Sequence, residues 1–345
     1  MKIINALVTA GSFCGLFLTV TSGFAQGSLT PPSGPAATMK TLVQIEPRAP
    51  ISSTPFIITQ PGSYYLTTNI IVTGVDDDAI DIDTNNVTLD LNGFTISSTV
   101  GYVGIGVNND ALGDITICNG HIAGGVTYSN GVYSGNGFAY GVIYFGDVEP
   151  SPANFRITGV SVSGCLYQGI DAGIYNSSVV ESCTVRMVGG VGISAATVSH
   201  SAAYECGDDA IDAVNASDCS GLSTASYDGI NTTTAINCSG TSSSGYGIFA
   251  TTANNCTGVS TSGTGLSASI ATACYGTSTT GKGLSAANIA TGCYGTSSSG
   301  TGLQASIANT CWGSSSGGIG LNSTIANTCY SSSGDGSIVN KYNMP

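Results

Sequence analysis

GLSASIATACYGTSTTGK, residues 265–282, is the stretch of sequence that decides the fold. Its short apolar segments are separated by Gly, Ser and Thr, and no helical periodicity continues across those breaks. Leu266, Ala268 and Ile270 alternate with small or polar residues, which is typical of a short β-strand with one face turned inward. The stretch therefore predicts one coil of short strands.

The same pattern recurs along the second half of the chain. Each coil opens on a Gly or Ala followed by an aliphatic residue, and successive pairs are 18 or 19 residues apart. The aliphatic members of the pairs are Ile193, Ile211, Ile230, Ile248, Leu266, Leu284, Leu303 and Leu321. Repeats of this length predict a solenoid in which each coil packs on its neighbours. A left-handed hexapeptide helix is excluded, because Thr272 and Ser278 stand where it requires aliphatic residues.

Upstream, the pair recurs at wider and uneven intervals, at Ala79-Ile80, Gly104-Ile105, Gly141-Val142 and Gly169-Ile170. The coils here must carry loops, and we expect these loops to leave the solenoid on one side, where repeat proteins usually bind their ligands.

Composition and charge restrict the partners. Charged residues make up 8% of the chain, the formal net charge is −13 and the mean hydropathy is +0.25. An acidic chain with so few Lys and Arg repels phosphate backbones, so nucleic acid is excluded as a partner. Disorder is excluded too, because it requires low hydropathy and high charge.

The first residues have the pattern of a secretory signal peptide, with Lys2, an apolar run to Val20 and small residues leading to Ala25. No later stretch is long and apolar enough to span a bilayer, so we expect a secreted or cell-surface protein. A Pro-rich leader follows, with a short helix predicted over residues 39–45. Such a helix would cap the open first coil.

Ala79 to Ser98, Ile115 to Gly125 and Phe155 to Cys165 resemble rungs of right-handed parallel β-helix proteins of the pectin-lyase-like superfamily. The resemblance implies an all-β chain that forms a single β-helix with a short N-terminal cap. We divide it into a signal peptide (1–25), leader and cap (26–54), coils with loops (55–191), regular coils (192–335) and a C-terminal tail (336–345). The superfamily includes both enzymes and proteins without activity, so the resemblance implies a fold more than a function.

Seven cysteines recur at one position of the regular coils, namely Cys219, Cys238, Cys256, Cys274, Cys293, Cys311 and Cys329. Parallel stacking points their Cβ atoms in the same direction, at a spacing wider than a disulfide prefers. We therefore expect an interior column of free thiols that pack as small apolar groups.

An aromatic residue follows each of the last four cysteines: Tyr275, Tyr294, Trp312 and Tyr330. If the cysteines point inward, these rings point outward and form a stripe. Two interpretations stay open, ring stacking that covers the wall and a platform that binds carbohydrate.

Acidic residues are absent between residues 229 and 334, so charged chemistry must lie in the first half. Asp209, Asp212 and Asp228 fall on neighbouring coils, and crowded carboxylates predict either a raised pKa or a Ca²⁺ site. The run from Cys206 to Asp209 resembles the Gly-Asp-Asp motif of polygalacturonase-type hydrolases, which implies general acid and base roles for Asp208 and Asp209. The other motifs of that family are missing, and for a lyase only Arg156 and Arg186 could serve as the base.

The sequence thus favours a secreted, non-catalytic β-solenoid of a surface or matrix that binds polysaccharide or cell-surface glycan. A polysaccharide hydrolase or lyase with an acidic site is the alternative. Ice or crystal binding is a third, from the Thr and Ser rungs at 276–278, 295–297 and 313–315.

Overall fold

The computed structural model describes residues 47–75, 78–108, 112–145, 154–174, 177–333 and 340–342. These residues form parallel strands and no helix, wound into about 14 turns. Strands pair in parallel from one coil to the next, and the architecture is the parallel β-helix that the sequence predicts. The right-handed sense is the one that crossovers between parallel strands almost always take. None of the described residues forms a helix of the length and hydrophobicity that crossing a membrane requires.

The strands of the first half have irregular lengths. They are Arg48–Ile51, Phe56–Ile58, Gly62–Leu66, Ile70–Val72, Ile80–Ile82, Val87–Asp90, Thr95–Ser98, Val103–Val107, Ile115–Ala123, Tyr140–Tyr144, Phe155–Ser163, Ile170–Asp171, Val179–Glu181 and Thr184–Val188, with a separate hairpin of Thr127–Ser129 and Val132–Ser134.

The strands of the regular coils alternate between a long and a short one. They are Ile193–Ser199, Ala202–Cys206, Ile211–Ser217, Ser220–Ser223, Ile230–Ile236, Ser239–Ser242, Ile248–Asn254, Thr257–Ser260, Leu266–Thr272, Tyr275–Ser278, Leu284–Thr291, Tyr294–Ser297, Leu303–Asn309, Trp312–Ser315, Leu321–Asn327, Tyr330–Ser331 and Asn340–Tyr342.

Each coil contributes to three parallel faces. In the coil that begins at Leu266, residues 266–268 belong to sheet A, residues 270–272 to sheet B, and residues 275–278 to sheet C. The break in pairing after Ala268 marks the corner between sheets A and B. The corner between sheets B and C is formed by Ala273, whose φ is 51°.

The Gly/Ala-aliphatic pairs form one continuous column on sheet A. Ile80 pairs with Ile105, Val142 pairs with both Ile105 and Ile170, and Ile170 pairs with Ile193. The column continues through every pair to Leu321, and all of its aliphatic side chains are fully buried. The repeat alignment therefore gives the correct register over the whole length of the sheet.

The cysteine column is confirmed as buried, and every described cysteine is free. The column begins earlier than the repeat alignment indicates. Ser201 stands one coil before Cys219, and the backbone N–H of Cys183 donates to Ser201 Oγ at 3.1 Å. Cys183 therefore occupies the column one coil before Ser201. Each of the seven recurring thiols donates to the carbonyl two residues earlier, as Cys274 does to Thr272 at 3.2 Å. Burial raises the pKa of Cys183 to about 11, so the thiol form is retained.

The expectation that loops leave the solenoid on one side is wrong. Residues 124–137, which carry the hairpin, join sheet C to sheet A, whereas residues 145–154 join sheet A to sheet B. The described ends of these two insertions therefore lie at opposite edges of sheet A. Because loops that surround one face of a rigid scaffold usually carry the function, sheet A is the face to examine.

The ends of the β-helix lie further out than the sequence indicates. Arg48–Ile51 already pairs in parallel with residues 63–66, ahead of the expected start at residue 55. At the other end, Asn340–Tyr342 pairs with residues 325–327, within the segment predicted as a tail. The predicted signal peptide and the capping helix over residues 39–45 lie outside the described residues.

Candidate functional site

Four aspartates project from sheet A on neighbouring coils, and together we call them the acidic strip: Asp171, Asp209, Asp212 and Asp228. Asp209 and Asp228 stand directly before their aliphatic pairs, one coil apart, and the backbone N–H of Asp228 donates to Asp209 Oδ1 at 2.7 Å. Asp171 and Asp212 follow their pairs and share a column, with Ser194 between them. The sequence prediction that Asp209 and Asp228 lie one coil apart is confirmed.

Backbone and amide groups hold three of these carboxylates in place. Asp209 Oδ2 accepts a hydrogen bond from the side-chain amide of Asn231 at 3.1 Å. Asp228 accepts from the backbone N–H of Tyr246 at 2.8 Å, and Asp171 from that of Gly173 at 3.0 Å. Among the described residues, no hydrogen-bond donor reaches the carboxylate of Asp212.

Partial burial makes these carboxylates weaker acids than usual. Burial, followed by the charges of Asp209 and Asp171, raises the pKa of Asp212 to about 6. Burial also raises the pKa of Asp228 to about 6, although its bond from Tyr246 acts in the opposite direction. The strip thus contains carboxyl groups that change charge near neutral pH.

Aromatic side chains stand at both ends of the acidic strip. The N-terminal aromatic cluster consists of Tyr102, Tyr140, Phe145 and Tyr167, with the Tyr140 ring 5.7 Å from Tyr102, 6.1 Å from Phe145 and 5.6 Å from Tyr167. Asp171 lies close enough to Tyr140 for its charge to raise the pKa of the Tyr140 phenol, after the larger effect of burial.

The C-terminal aromatic pair consists of Tyr246 and Phe249, whose rings stack at 5.1 Å. Tyr246 continues the column of Asp209 and Asp228, and Phe249 pairs with Asn231 in the column of Asp212. Sequence reasoning missed both clusters. Alignment on the pairs would have found them, because Tyr140 and Tyr246 precede a pair as Asp209 does.

A cavity of about 410 Å³ opens beside the N-terminal aromatic cluster. Tyr102 and Tyr167 form its aromatic wall, Leu166 adds an apolar wall, and residues 135–137 from the base of the hairpin close another side. The hairpin is fixed to a distant coil, because the Tyr133 hydroxyl lies 2.8 Å from Thr224 Oγ1. The cavity therefore lies at the edge of sheet A that adjoins sheet C, and the hairpin that forms one of its walls is held in place.

The two arginines considered for a lyase are not part of the acidic strip. Arg156 lies on sheet B in an ion pair with Glu181 at 3.1 Å, and Arg186 lies on sheet C in an ion pair with Glu205 at 2.9 Å. Both guanidinium groups are largely exposed. Among the described residues, no Lys or Arg side chain stands beside the carboxylates to serve as the base of a lyase.

The structure does not gather the predicted metal ligands around one point. Among the described residues, no group of three or more His, Cys, Asp or Glu side chains is arranged to hold a metal ion. Ca²⁺ binding by Asp209, Asp212 and Asp228 stays a prediction. So do the catalytic roles of Asp208 and Asp209; the Asp208 carboxylate accepts the backbone N–H of Asp209 at 2.8 Å.

The predicted aromatic stripe exists on sheet C. The rings of Tyr275 and Tyr294 stack at 5.2 Å with an interplanar angle of 13°, and Trp312 lies 5.7 Å from Tyr294 and 4.7 Å from Tyr330. Stacked rings cover each other's faces, and these faces are what a sugar would contact. Ligand binding by the stripe stays a prediction, and the protruding rings make this face less flat than the ice-binding interpretation needs.

Comparison with known proteins adds little to this geometry. No family model matches the chain, and no curated protein matches it. One solved structure, the enzymatically active domain of tailspike protein 2 of bacteriophage CBA120, aligns with 77% of this chain and 37% of its own, at 14% identity and a TM-score of 0.28. The protein is defined by its own architecture as a right-handed parallel β-helix with an aromatic-bounded acidic strip on one face.

Proposed function

We propose that this chain is an exported β-helix that binds glycan along sheet A. The observation that carries the proposal is the acidic strip between the N-terminal aromatic cluster and the C-terminal aromatic pair. Carboxylates accept hydrogen bonds from sugar hydroxyls, and aromatic rings pack on the apolar faces of pyranoses. The order of these groups along the solenoid axis suits an extended chain of sugars.

The position of the strip supports the same function. Insertions border sheet A at both edges, and the cavity beside Tyr102 and Tyr167 provides a recess for one sugar or a branch. The strip runs over successive coils, and coils are about 4.8 Å apart, so each coil presents a new set of polar groups to a linear ligand.

Paired ring substitutions test the proposal. In Tyr246→Ala/Phe249→Ala we expect binding of a panel of soluble polysaccharides, measured by affinity electrophoresis, to weaken about ten-fold or more, because one aromatic boundary is lost. The matched control is Tyr294→Ala/Trp312→Ala, which removes two rings from sheet C and should leave binding unchanged. Loss of binding in the control alone would transfer the ligand to the aromatic stripe.

A second function, hydrolysis of a glycosidic bond, is favoured by one observation. Asp212 and Asp228, each with a pKa raised to about 6, flank Asp209 on the same face, and a protonated carboxyl beside a charged one is the pairing that glycosidases use. Release of reducing ends by the wild type, abolished in both Asp209→Asn and Asp212→Asn, would establish this activity. Binding without release would leave the protein a glycan-binding solenoid.

A further inference from the structure

In the part of the chain that the structure describes, the acidic strip has no basic neighbour on its own face. Within the described part of sheet A, the first basic residue in the column of Asp209 and Asp228 is Lys282, which follows Tyr246 and Thr264 three coils beyond Asp228. Arg156 and Arg186 stand on the other two sheets, each beside a glutamate. A ligand on the strip therefore meets carboxylates that no basic side chain of this face neutralises.

We propose that the ligand of the acidic strip is a glycan with free amino groups, a polymer of amino sugars rather than of uronic acids. This inference rests on the proposed function and adds the chemical class of the ligand. The aromatic boundaries and the cavity make sheet A a site for sugars, and the carboxylates select the charge of those sugars.

The carboxylate of Asp212 is the group that an ammonium ligand would contact most directly in this inference. Asp171, Asp209 and Asp228 each accept a backbone or amide N–H, whereas among the described residues no donor reaches the carboxylate of Asp212. Half-buried carboxylates that crowd together are stabilised by a nearby positive charge and by N–H donors. An ammonium group provides both the charge and the donors.

An organic cation suits the strip better than a metal ion does. No three acidic side chains of the described residues converge on one point, so the carboxylates are arranged as a row and not as a cage. Asp209 and Asp228 are one coil apart, about 4.8 Å, and Asp171 and Asp212 are two coils apart. Charges repeated at whole multiples of the coil spacing suit an extended polymer that carries an amino group on each sugar. A uronate polymer would place its own carboxylates against this row, and the repulsion would exclude it.

Binding should be measured on the full chain by calorimetry with three probes of similar length. They are oligomers of β-1,4-linked glucosamine, their N-acetylated counterparts, and oligogalacturonate. At about pH 6 we expect the glucosamine oligomer to bind about ten-fold or more tightly than the N-acetylated one, and oligogalacturonate not to bind. Added salt should weaken the first interaction, because it screens the charges.

A pair of matched variants distinguishes the effect of the acidic strip on binding from the effect of the protein's overall negative charge. Asp212→Asn should abolish the preference for the amine while weak binding of the N-acetylated oligomer persists. Asp218→Asn removes the same charge from the corner between sheets B and C, where Asp218 accepts the amide of Asn237 at 3.1 Å, and should keep the preference. An equal loss of preference in both variants would overturn the inference.

The outcomes also distinguish this inference from the function on which it rests. Tight binding of oligogalacturonate would overturn the inference and leave the glycan-binding function standing. Failure of all three oligomers and of the polysaccharide panel would overturn both. A rise in melting temperature with Ca²⁺ that is lost in Asp212→Asn would assign the strip to a metal ion and overturn the inference.

Discussion

The coils before residue 192 and the regular coils after it form one β-helix with two different interiors. The earlier coils bury large side chains, including Phe138, Phe155 and many Ile and Leu, and they carry the insertions and most of the charge. Apart from Val198 and Thr232, the regular coils bury one Leu or Ile each, together with Ala, Cys, Ser and Gly. We call the interior of the regular coils narrow because small side chains fill it. Coils of nearly constant length bring these side chains to the same position in each turn.

The difference shows how the molecule separates stability from function. In the regular coils most buried positions repeat, so the same contact recurs from turn to turn. Ser260, Ser278, Ser297 and Ser315 each donate from a buried hydroxyl to a turn carbonyl. In the earlier coils the repeat is interrupted, and the acidic strip begins there. The strip continues over the first regular coils to Asp228 and ends at the Tyr246 and Phe249 pair.

The largest expected effect tests the narrow interior. A Cβ at Gly276 would lie 2.2 Å from the carbonyl oxygen of Gly283, and both atoms belong to the regular coils. Gly276→Ala should therefore destabilise the protein by about 3 kcal/mol, measured by urea unfolding. Gly317→Ala is the control, because its nearest contact would be 3.4 Å away. Equal stability of the two variants would contradict the narrow interior.

The next effect concerns the acidic strip. Asp212 and Asp228 have pKa values near 6 when folded and about 3.9 when unfolded, so the folded state holds more protons between these values. Stability should be highest near pH 4 and fall by about 2 kcal/mol as the pH rises through 6, allowing for solvent screening. Asp212→Asn/Asp228→Asn should flatten the melting profile between pH 4 and 7. A wild-type profile that rises instead would refute the crowding of these carboxylates.

A smaller effect tests the cysteine column. Ser201 already occupies this column, where its hydroxyl donates to Ser199 at 2.7 Å. Cys274→Ser should cost only about 1 kcal/mol in chemical unfolding, because the new hydroxyl can donate to the same carbonyl. Thiol counting by mass on the unreduced, denatured protein should find Cys256 to Cys329 free. Mostly paired cysteines would contradict the parallel geometry of the column.

The smallest effect concerns the corner between sheets B and C, where residues adopt left-handed backbone angles. Asn255 donates to the side chain of Asn237 at 2.8 Å, and Ala273 takes the same position one coil later with φ of 51°. Ala273→Asn should stabilise by about 0.5 kcal/mol, because Asn tolerates this angle and extends the ladder. Asn255→Ala should destabilise by a similar amount in the same thermal unfolding assay.

The sequence predicts most of the fold because residues one repeat apart occupy the same position in successive coils. Aligning the pairs gives the column of sheet A, the buried cysteines and the outward rings of sheet C, all without coordinates. It does not give the start at Arg48, because the Pro-rich segment around it lacks the repeat. Nor does the repeat predict at which edges of sheet A the insertions begin. This depends on which corner of the coil each insertion interrupts.

Sequence reasoning predicts only part of the candidate site. Asp209 and Asp228 are placed by the repeat, and so is the shared column of Asp171 and Asp212. The contacts among Tyr140, Phe145 and Tyr167 depend on where irregular loops return to the wall, and the lack of a donor at Asp212 depends on its neighbours in space. Such features are set by packing between residues far apart in the chain.

We propose that sheet A, rather than the aromatic stripe of sheet C, holds the glycan. A crystal structure of the protein soaked with a glucosamine oligomer tests it most directly. We predict density for sugar along Asp209 and Asp212, with pyranose rings against Tyr140 at one end and Tyr246 at the other. Sugar density along Tyr294 and Trp312, with the acidic strip free of ligand, would contradict the account.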